Sequence, residues 1–150
     1  MKAFEEIQVL DRLLKILCRS LPAYLADVKS WTRPDQQQIQ SAIDHLVADQ
    51  RQFAQRVSDA IVERGGRPNP GRFSSEFTAK NDLALEFLLR EVLDYQEQDV
   101  EMIEYYVAQL ESSPVLHVLA EEILGNAKGH RDILEEMVSF EDQNANDDVH

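Results

Sequence analysis

Apolar residues recur at intervals of three and four along most of this chain, and this spacing limits what it can fold into more than any other feature. Because an α-helix completes a turn in about 3.6 residues, such spacing places the apolar side chains on one face of a helix. Only five glycines and five prolines occur in 150 residues, so the helices can be long. The pattern therefore predicts a single all-α domain whose helices pack around one core.

Four helices account for the periodic segments. We place helix A at about residues 4–30, helix B up to about Arg64, helix C at about residues 81–111 and helix D at about residues 114–138. Asp35 is the predicted N-cap of helix B, and Gly65-Gly66 ends that helix because glycine tolerates the left-handed conformation of a C-cap. The domain is expected to span residues 1–140, followed by an acidic, polar and frayed tail at residues 141–150.

Pro22 lies inside the predicted helix A. Proline removes one backbone hydrogen bond, so we expect the helix to be kinked at this residue. A complete break at Ser20 is the alternative, and the sequence does not decide between the two.

The lengths of the connections predict the topology. Short connections at residues 31–35 and 112–114 make helices A and B one antiparallel pair and helices C and D another. Residues 65–80 form a longer connection that can run along the bundle and reverse the usual up-down order. A repeat protein built from two helical hairpins is the weaker alternative, because the two halves share no clear periodic sequence.

Charge and cysteine content limit the partners and the compartment. The formal net charge is −13, which repels phosphate backbones and anionic headgroups, so we expect no nucleic-acid or membrane partner. Cys18 is the only cysteine, which excludes an intrachain disulfide and suits a reducing cytosol. No apolar run reaches the roughly 18 residues of a membrane span, and the first six residues carry acids where a signal peptide is apolar. The expected location is the cytoplasm.

Two segments carry a resemblance to a known family. Residues 50–56, with Glu63-Arg64-Gly65-Gly66-Arg67-Pro68 after them, resemble the second helix of a ferritin-like di-iron protein of the bacterioferritin type. Residues 123–130 resemble its fourth helix, and the similarity extends over about residues 5–138. The resemblance implies an antiparallel four-helix bundle with one long crossover between helices B and C. It also implies, by analogy, a homodimer that pairs through the outer faces of helices A and B.

The same resemblance implies where the di-iron ligands would stand. The positions are Leu17 on helix A, Gln50 and Phe53 on helix B, and Ala127 and His130 on helix D. The glutamate of helix C falls at Asp94, Gln96 or Asp99; the apolar stripe favours Gln96, and Asp99 lies at its edge. Of the helix B and D ligands only His130 is retained. A register one residue earlier, with Asp49 and Gln52 facing inward, is disfavoured because Gln50 and Phe53 continue the apolar spacing.

Three interpretations of this altered ligand set follow. The favoured one is a hydrogen-bonded polar layer made of Gln50, Gln96, His130 and either Asn126 or Glu122. The second is a residual site for one iron or zinc ion, built on His130 with Glu122, Asp94 or Asp99. The third is a small-ligand pocket in the gap left at Ala127.

The sequence therefore predicts a protein without ferroxidase activity and without a resident cofactor. Haem is not expected, because the haem-ligating methionine of the family falls at Arg51. The favoured role is a non-enzymatic structural, regulatory or ligand-sensing homodimer. The alternative is a metal-binding protein or oxidoreductase that uses a rearranged site around His130.

Overall fold

The computed structural model describes residues 1–28, 36–80 and 85–147, and these ranges contain helices and connections but no strand. The elements are α1 (Ala3–Cys18), α2 (Leu21–Val28), α3 (Gln37–Glu63), a 3₁₀ helix (Ser75–Lys80), α4 (Leu85–Gln109) and α5 (Pro114–Asp147). The all-α prediction is therefore confirmed. None of these described helices combines the length and apolar character needed to cross a membrane. Asp35, the predicted cap of helix B, and the predicted start of helix C at residues 81–84 lie outside the described residues.

The helices pack in two pairs that are joined to each other. α1 packs against α3, and α4 packs against α5, while contacts between α3 and α5 and between α1 and α4 connect the pairs. The apolar stripes form two neighbouring core clusters, one centred on Leu13 and Ile61 and the other on Leu46 and Leu89. Removing a leucine or isoleucine side chain of this kind from water contributes about 1.5–3 kcal/mol. The sequence periodicity thus places the core where the helices meet.

The predicted kinked helix A is two helices, with a break at Arg19-Ser20. The Ser20 hydroxyl accepts a hydrogen bond from the Ala23 N–H at 3.2 Å, which makes Ser20 the N-cap of α2. Pro22 then occupies the first turn of α2, where a missing N–H costs no intrahelical bond. The expected kink at Pro22 is wrong because a capping serine and a first-turn proline together start a new helix.

Ser20 also connects α2 to α3, so replacing it should destabilise the folded protein. Its hydroxyl donates to Gln50 Oε1 at 2.9 Å. We expect Ser20→Ala to lower the free energy of unfolding by about 2 kcal/mol, through a lost cap and an unsatisfied buried amide oxygen. Urea denaturation of both proteins measures this difference. Ser20→Thr keeps the hydroxyl and serves as the control; equal losses in the two variants would contradict the assigned role.

The end of α3 follows the prediction made from Gly65-Gly66. Gly65 has a φ of 84°, in the left-handed region. The Gly66 N–H donates to the Ile61 carbonyl at 2.9 Å, and the Gly65 N–H donates to the Val62 carbonyl at 3.0 Å. This pair of bonds is the Schellman arrangement, which satisfies carbonyls that the helix end leaves without partners.

The C-terminal helix is longer than the sequence suggested. α5 continues to Asp147, so the frayed tail predicted from residue 141 is wrong as far as that residue. Asp142 forms an ion pair with Arg90 of α4, and Met137 and Val138 pack against the second core cluster. These tertiary contacts stabilise a polar stretch that local propensity alone leaves undecided.

Candidate functional site

A small cavity lies where α1, α3, α4 and α5 come together. It is lined by the positions at which the ferritin-like resemblance places di-iron ligands: Leu17, Gln50, Phe53, Gln96, Ala127 and His130. Its volume is about 10 Å³, near the lower limit for holding a single water molecule. The six positions, spread over more than 110 residues of sequence, are thus neighbours in the fold.

The two glutamines of this layer are buried, as the apolar stripe predicted. Gln50 is 7% exposed and accepts the hydrogen bond from Ser20. Gln96 is 3% exposed, and its Nε2 donates to the Ala127 carbonyl at 3.1 Å. The Gln96 Oε1 atom has no hydrogen-bond partner among the described residues. Each amide is therefore bonded to its own neighbour, and neither is hydrogen-bonded to His130.

His130 has a different partner from those expected. Its Nε2 atom lies 2.7 Å from Asp49 Oδ2, and Asn126 Nδ2 donates to the same oxygen at 2.8 Å. The hydrogen bond with Asn126 lowers the pKa of Asp49 most, and the hydrogen bond with His130 lowers it further. Asp49, Asn126 and His130 thus form a hydrogen-bonded polar cluster between α3 and α5, at the edge of the cavity.

The prediction for helix B was right about Gln50 and Phe53 but wrong about Asp49. Gln50 is buried, Phe53 packs against the first core cluster and Gln52 is exposed, as the apolar spacing predicted. Asp49, expected to point away, instead reaches His130. Its place three residues after Leu46 and four before Phe53 is the signal that could have found it, since residues at these separations are neighbours on a helix.

The acids predicted to join His130 are mostly elsewhere. Glu122 ion-pairs with Arg56 at 2.5 Å on the surface, and Asp94 is exposed. Only Asp99, of the three candidates, lines the cavity. In the described ranges no group of three or more His, Cys, Asp or Glu side chains is placed to hold a metal ion. The geometry therefore supplies neither Glu122 nor Asp94 to a site on His130.

Asp99 is the unusual titratable group of this layer. Desolvation raises the pKa of its carboxyl to about 7. No hydrogen bond or ion pair to it is found within the described part of the chain. The carboxyl therefore keeps its proton to a higher pH than an exposed aspartate does.

The gap expected beside Ala127 is not a ligand pocket. Small-molecule sites have volumes of about 300–1,000 Å³, far above the space left here. Ala127 is itself buried, and the side chains of Leu17, Phe53 and Ile123 fill the surroundings. The third interpretation of the ligand set is wrong at this position, because the surrounding side chains leave too little room for a small molecule.

Comparison of the chain with profiles of known protein families, with curated proteins and with solved structures finds no match.

The Asp49–His130 pair should be measurable by a double-mutant cycle. Asp49 is 39% exposed, so solvent screens the interaction, and we expect a coupling energy of only about 0.5–1.5 kcal/mol between Asp49→Ala and His130→Ala near neutral pH. Because the folded pKa of Asp49 is lowered, this stabilisation is present above its unfolded pKa of about 3.9 and disappears as pH falls through the folded value. Urea denaturation of the four proteins at two pH values gives both quantities. A coupling near zero at neutral pH would contradict the interaction.

Proposed function

We propose that this chain is a ferritin-like four-helix bundle without a functional di-iron centre, and that it acts as a non-enzymatic structural or regulatory homodimer. The observation that carries the proposal is the convergence of all six implied ligand positions on one cavity of about 10 Å³. The side chains come from α1, α3, α4 and α5 and meet at one level of the fold, as a shared ligand set requires. The residues at those positions then argue against a di-iron centre, since five of the six are apolar or amide side chains on the helices that should supply carboxylates and imidazoles.

The order of contacts along the helices supports the ferritin-like topology. Between α1 and α3 the pair is Glu6–Arg64, and Ser20 at the start of α2 bonds Gln50 further back along α3. Arg56–Glu122 and Asp49–His130 join α3 to α5. Glu104–Lys128 and Arg90–Asp142 join α4 to α5, and in each set the order of contacts is antiparallel. Because α3 and α4 are both antiparallel to α5, they run in the same direction. The connection between them must then return along the length of the bundle, as a single long crossover does.

The competing function is a protein that binds one iron or zinc ion at His130. Two observations favour it: Asp49 is bonded to His130, and Asp99 lines the same cavity. It is the weaker candidate because a stable site needs three or more such ligands in one place, and the described residues do not provide them.

Metal binding to the purified, metal-stripped protein separates the two functions. We expect Fe(II), added without oxygen, and Zn(II) to bind no more strongly to the natural protein than to His130→Ala, at the low level of any acidic surface. One metal ion per chain, lost in both His130→Ala and Asp99→Asn, would establish the competing function. Two ions per chain would mean that the ligand positions have been misassigned.

The homodimer rests on analogy and needs its own test. Val62, 60% exposed on α3, belongs to the face used by ferritin-like pairs, whereas Tyr105, 59% exposed on α4, does not. We expect Val62→Glu to convert a dimer to a monomer in sedimentation experiments, and Tyr105→Glu to leave it a dimer. The reverse result would move the interface to α4, and a natural protein that is already monomeric would remove the dimer from the proposal.

A further inference from the structure

A second, larger cavity lies on the other side of Leu17. It is formed by the end of α1, the start of α2, the middle of α3 and the connection between α3 and α4. Its volume is about 310 Å³, within the range of small-molecule sites. The side chains of Leu17, Val47 and Ala54 form a buried apolar floor, and Phe73 of the connection forms a wall.

Two arginines give this cavity its charge. Arg19 and Arg51 both line it, and neither has a carboxylate partner within the described part of the chain. By contrast, Arg56 on the same helix as Arg51 is paired with Glu122. In a chain of net charge −13, two guanidinium groups without acidic partners at one apolar cavity form a local positive site.

The orientation of Arg19 is set by the protein. Its Nε–H donates to the Gly71 carbonyl at 2.9 Å, and its guanidinium carbon lies 4.7 Å from the centre of the Phe73 ring. These contacts use one donor and one face of the guanidinium, which leaves the terminal N–H groups free for an anion. Arg51 is exposed, so it can adapt its position to the same anion.

We propose that this cavity binds a small amphipathic carboxylate, with the apolar body against the buried floor and the carboxylate held by Arg51 and Arg19. Guanidinium groups match carboxylates through paired charge-assisted hydrogen bonds. The proposal goes beyond the proposed function and does not depend on it, because none of the charged groups involved belongs to the former metal layer. Failure of either one leaves the other standing.

Cys18 supplies a built-in reporter of occupancy, since its half-buried thiol lines the same cavity. Burial raises the pKa of this thiol, an effect that the neighbouring Arg19 partly opposes. The thiol is therefore a slow nucleophile whose alkylation depends on access. A bound ligand should slow its reaction with N-ethylmaleimide.

Decanoate, used below its micelle concentration, is the probe that tests the site, with decanamide as its uncharged counterpart. We expect calorimetry to show one decanoate per chain, and decanoate but not decanamide to slow the alkylation of Cys18. Arg51→Gln should weaken decanoate binding about tenfold or more, the effect of losing a charge-assisted hydrogen bond. Arg56→Gln removes a charge from the same helix outside the cavity and should leave the affinity unchanged.

Three results would overturn the proposal. The first is no binding of decanoate together with unchanged alkylation of Cys18. The second is equal binding of decanoate and decanamide, which would reduce the cavity to an apolar one without selectivity for anions. The third is equal loss of decanoate affinity in Arg51→Gln and Arg56→Gln, which would assign the effect to overall charge.

Discussion

Installing at the central layer the ligand set that the ferritin-like resemblance implies is expected to give a protein that needs metal to fold. The redesigned chain carries Leu17→Glu, Gln50→Glu, Phe53→His, Gln96→Glu and Ala127→Glu, with His130 retained. Without metal, four carboxylates in a dry layer each cost several kcal/mol. Their sum is about as large as or larger than the roughly 5–15 kcal/mol by which a typical domain is stable, so the metal-free variant should be largely unfolded at neutral pH. Zn(II) or Co(II) should restore the helical signal in circular dichroism, because metal binding then supplies free energy of folding.

A matched control separates convergent ligands from added charge. Gln52→Glu with Gln55→His places the same Glu-x-x-His spacing on exposed positions of α3. This variant should lose little stability and show no Co(II)-dependent refolding. If the redesigned chain stays folded without metal and binds none, the six positions do not form a ligand set, and the ferritin-like interpretation loses its main support.

The second large effect is a loss of stability as pH rises through neutrality, caused by Asp99. Its folded pKa of about 7 lies above its ordinary value of 3.8, so the folded state binds the proton more tightly than the unfolded state. The resulting stabilisation is fully present below the unfolded pKa and is lost as pH rises to the folded value. Since each pKa unit corresponds to about 1.4 kcal/mol, the loss attributable to Asp99 is at most about 4 kcal/mol between pH 4 and pH 8.

Asp99→Asn tests this prediction because an amide cannot ionise. At pH 8 the variant should be more stable than the natural protein by about 2–4 kcal/mol, and the difference should shrink toward pH 5. Urea denaturation across this range gives the two profiles. Asp94→Asn removes a similar charge from an exposed position on the same helix, and corrects for general repulsion in an acidic protein. Identical profiles for Asp99→Asn and Asp94→Asn would show that burial of Asp99 has no such effect.

Some of the candidate site was predictable because it depends on local patterns. The spacing of Ile43, Leu46, Gln50 and Phe53 decided which face of α3 is buried, and the structure agrees. The end of α3 at Gly65 was also predictable from the local sequence, since only a residue that tolerates positive φ suits that position. Both features are properties of a single helix and its ends.

Other parts required contacts that the sequence does not display. Ser20 starts a new helix while its hydroxyl bonds Gln50, thirty residues further along the chain. Asp49 sits at the edge of the apolar stripe, and its direction depends on where α5 places Asn126 and His130. The spacing within α3 places Asp49 beside the apolar stripe but does not identify its partners on α5.

The sequence by itself determined the all-helical fold and the buried face of α3, because each follows from the 3.6-residue repeat within one helix. The positions that meet at the central layer were implied by the resemblance to a family, and not by the repeat. The tertiary structure alone decided the size of the two cavities, the pairing of Asp49 with His130, the extension of α5 to Asp147 and the burial of Asp99. The features in this second group depend on packing and desolvation. Both arise from atoms on several helices, so neither can be predicted from the sequence of a single helix.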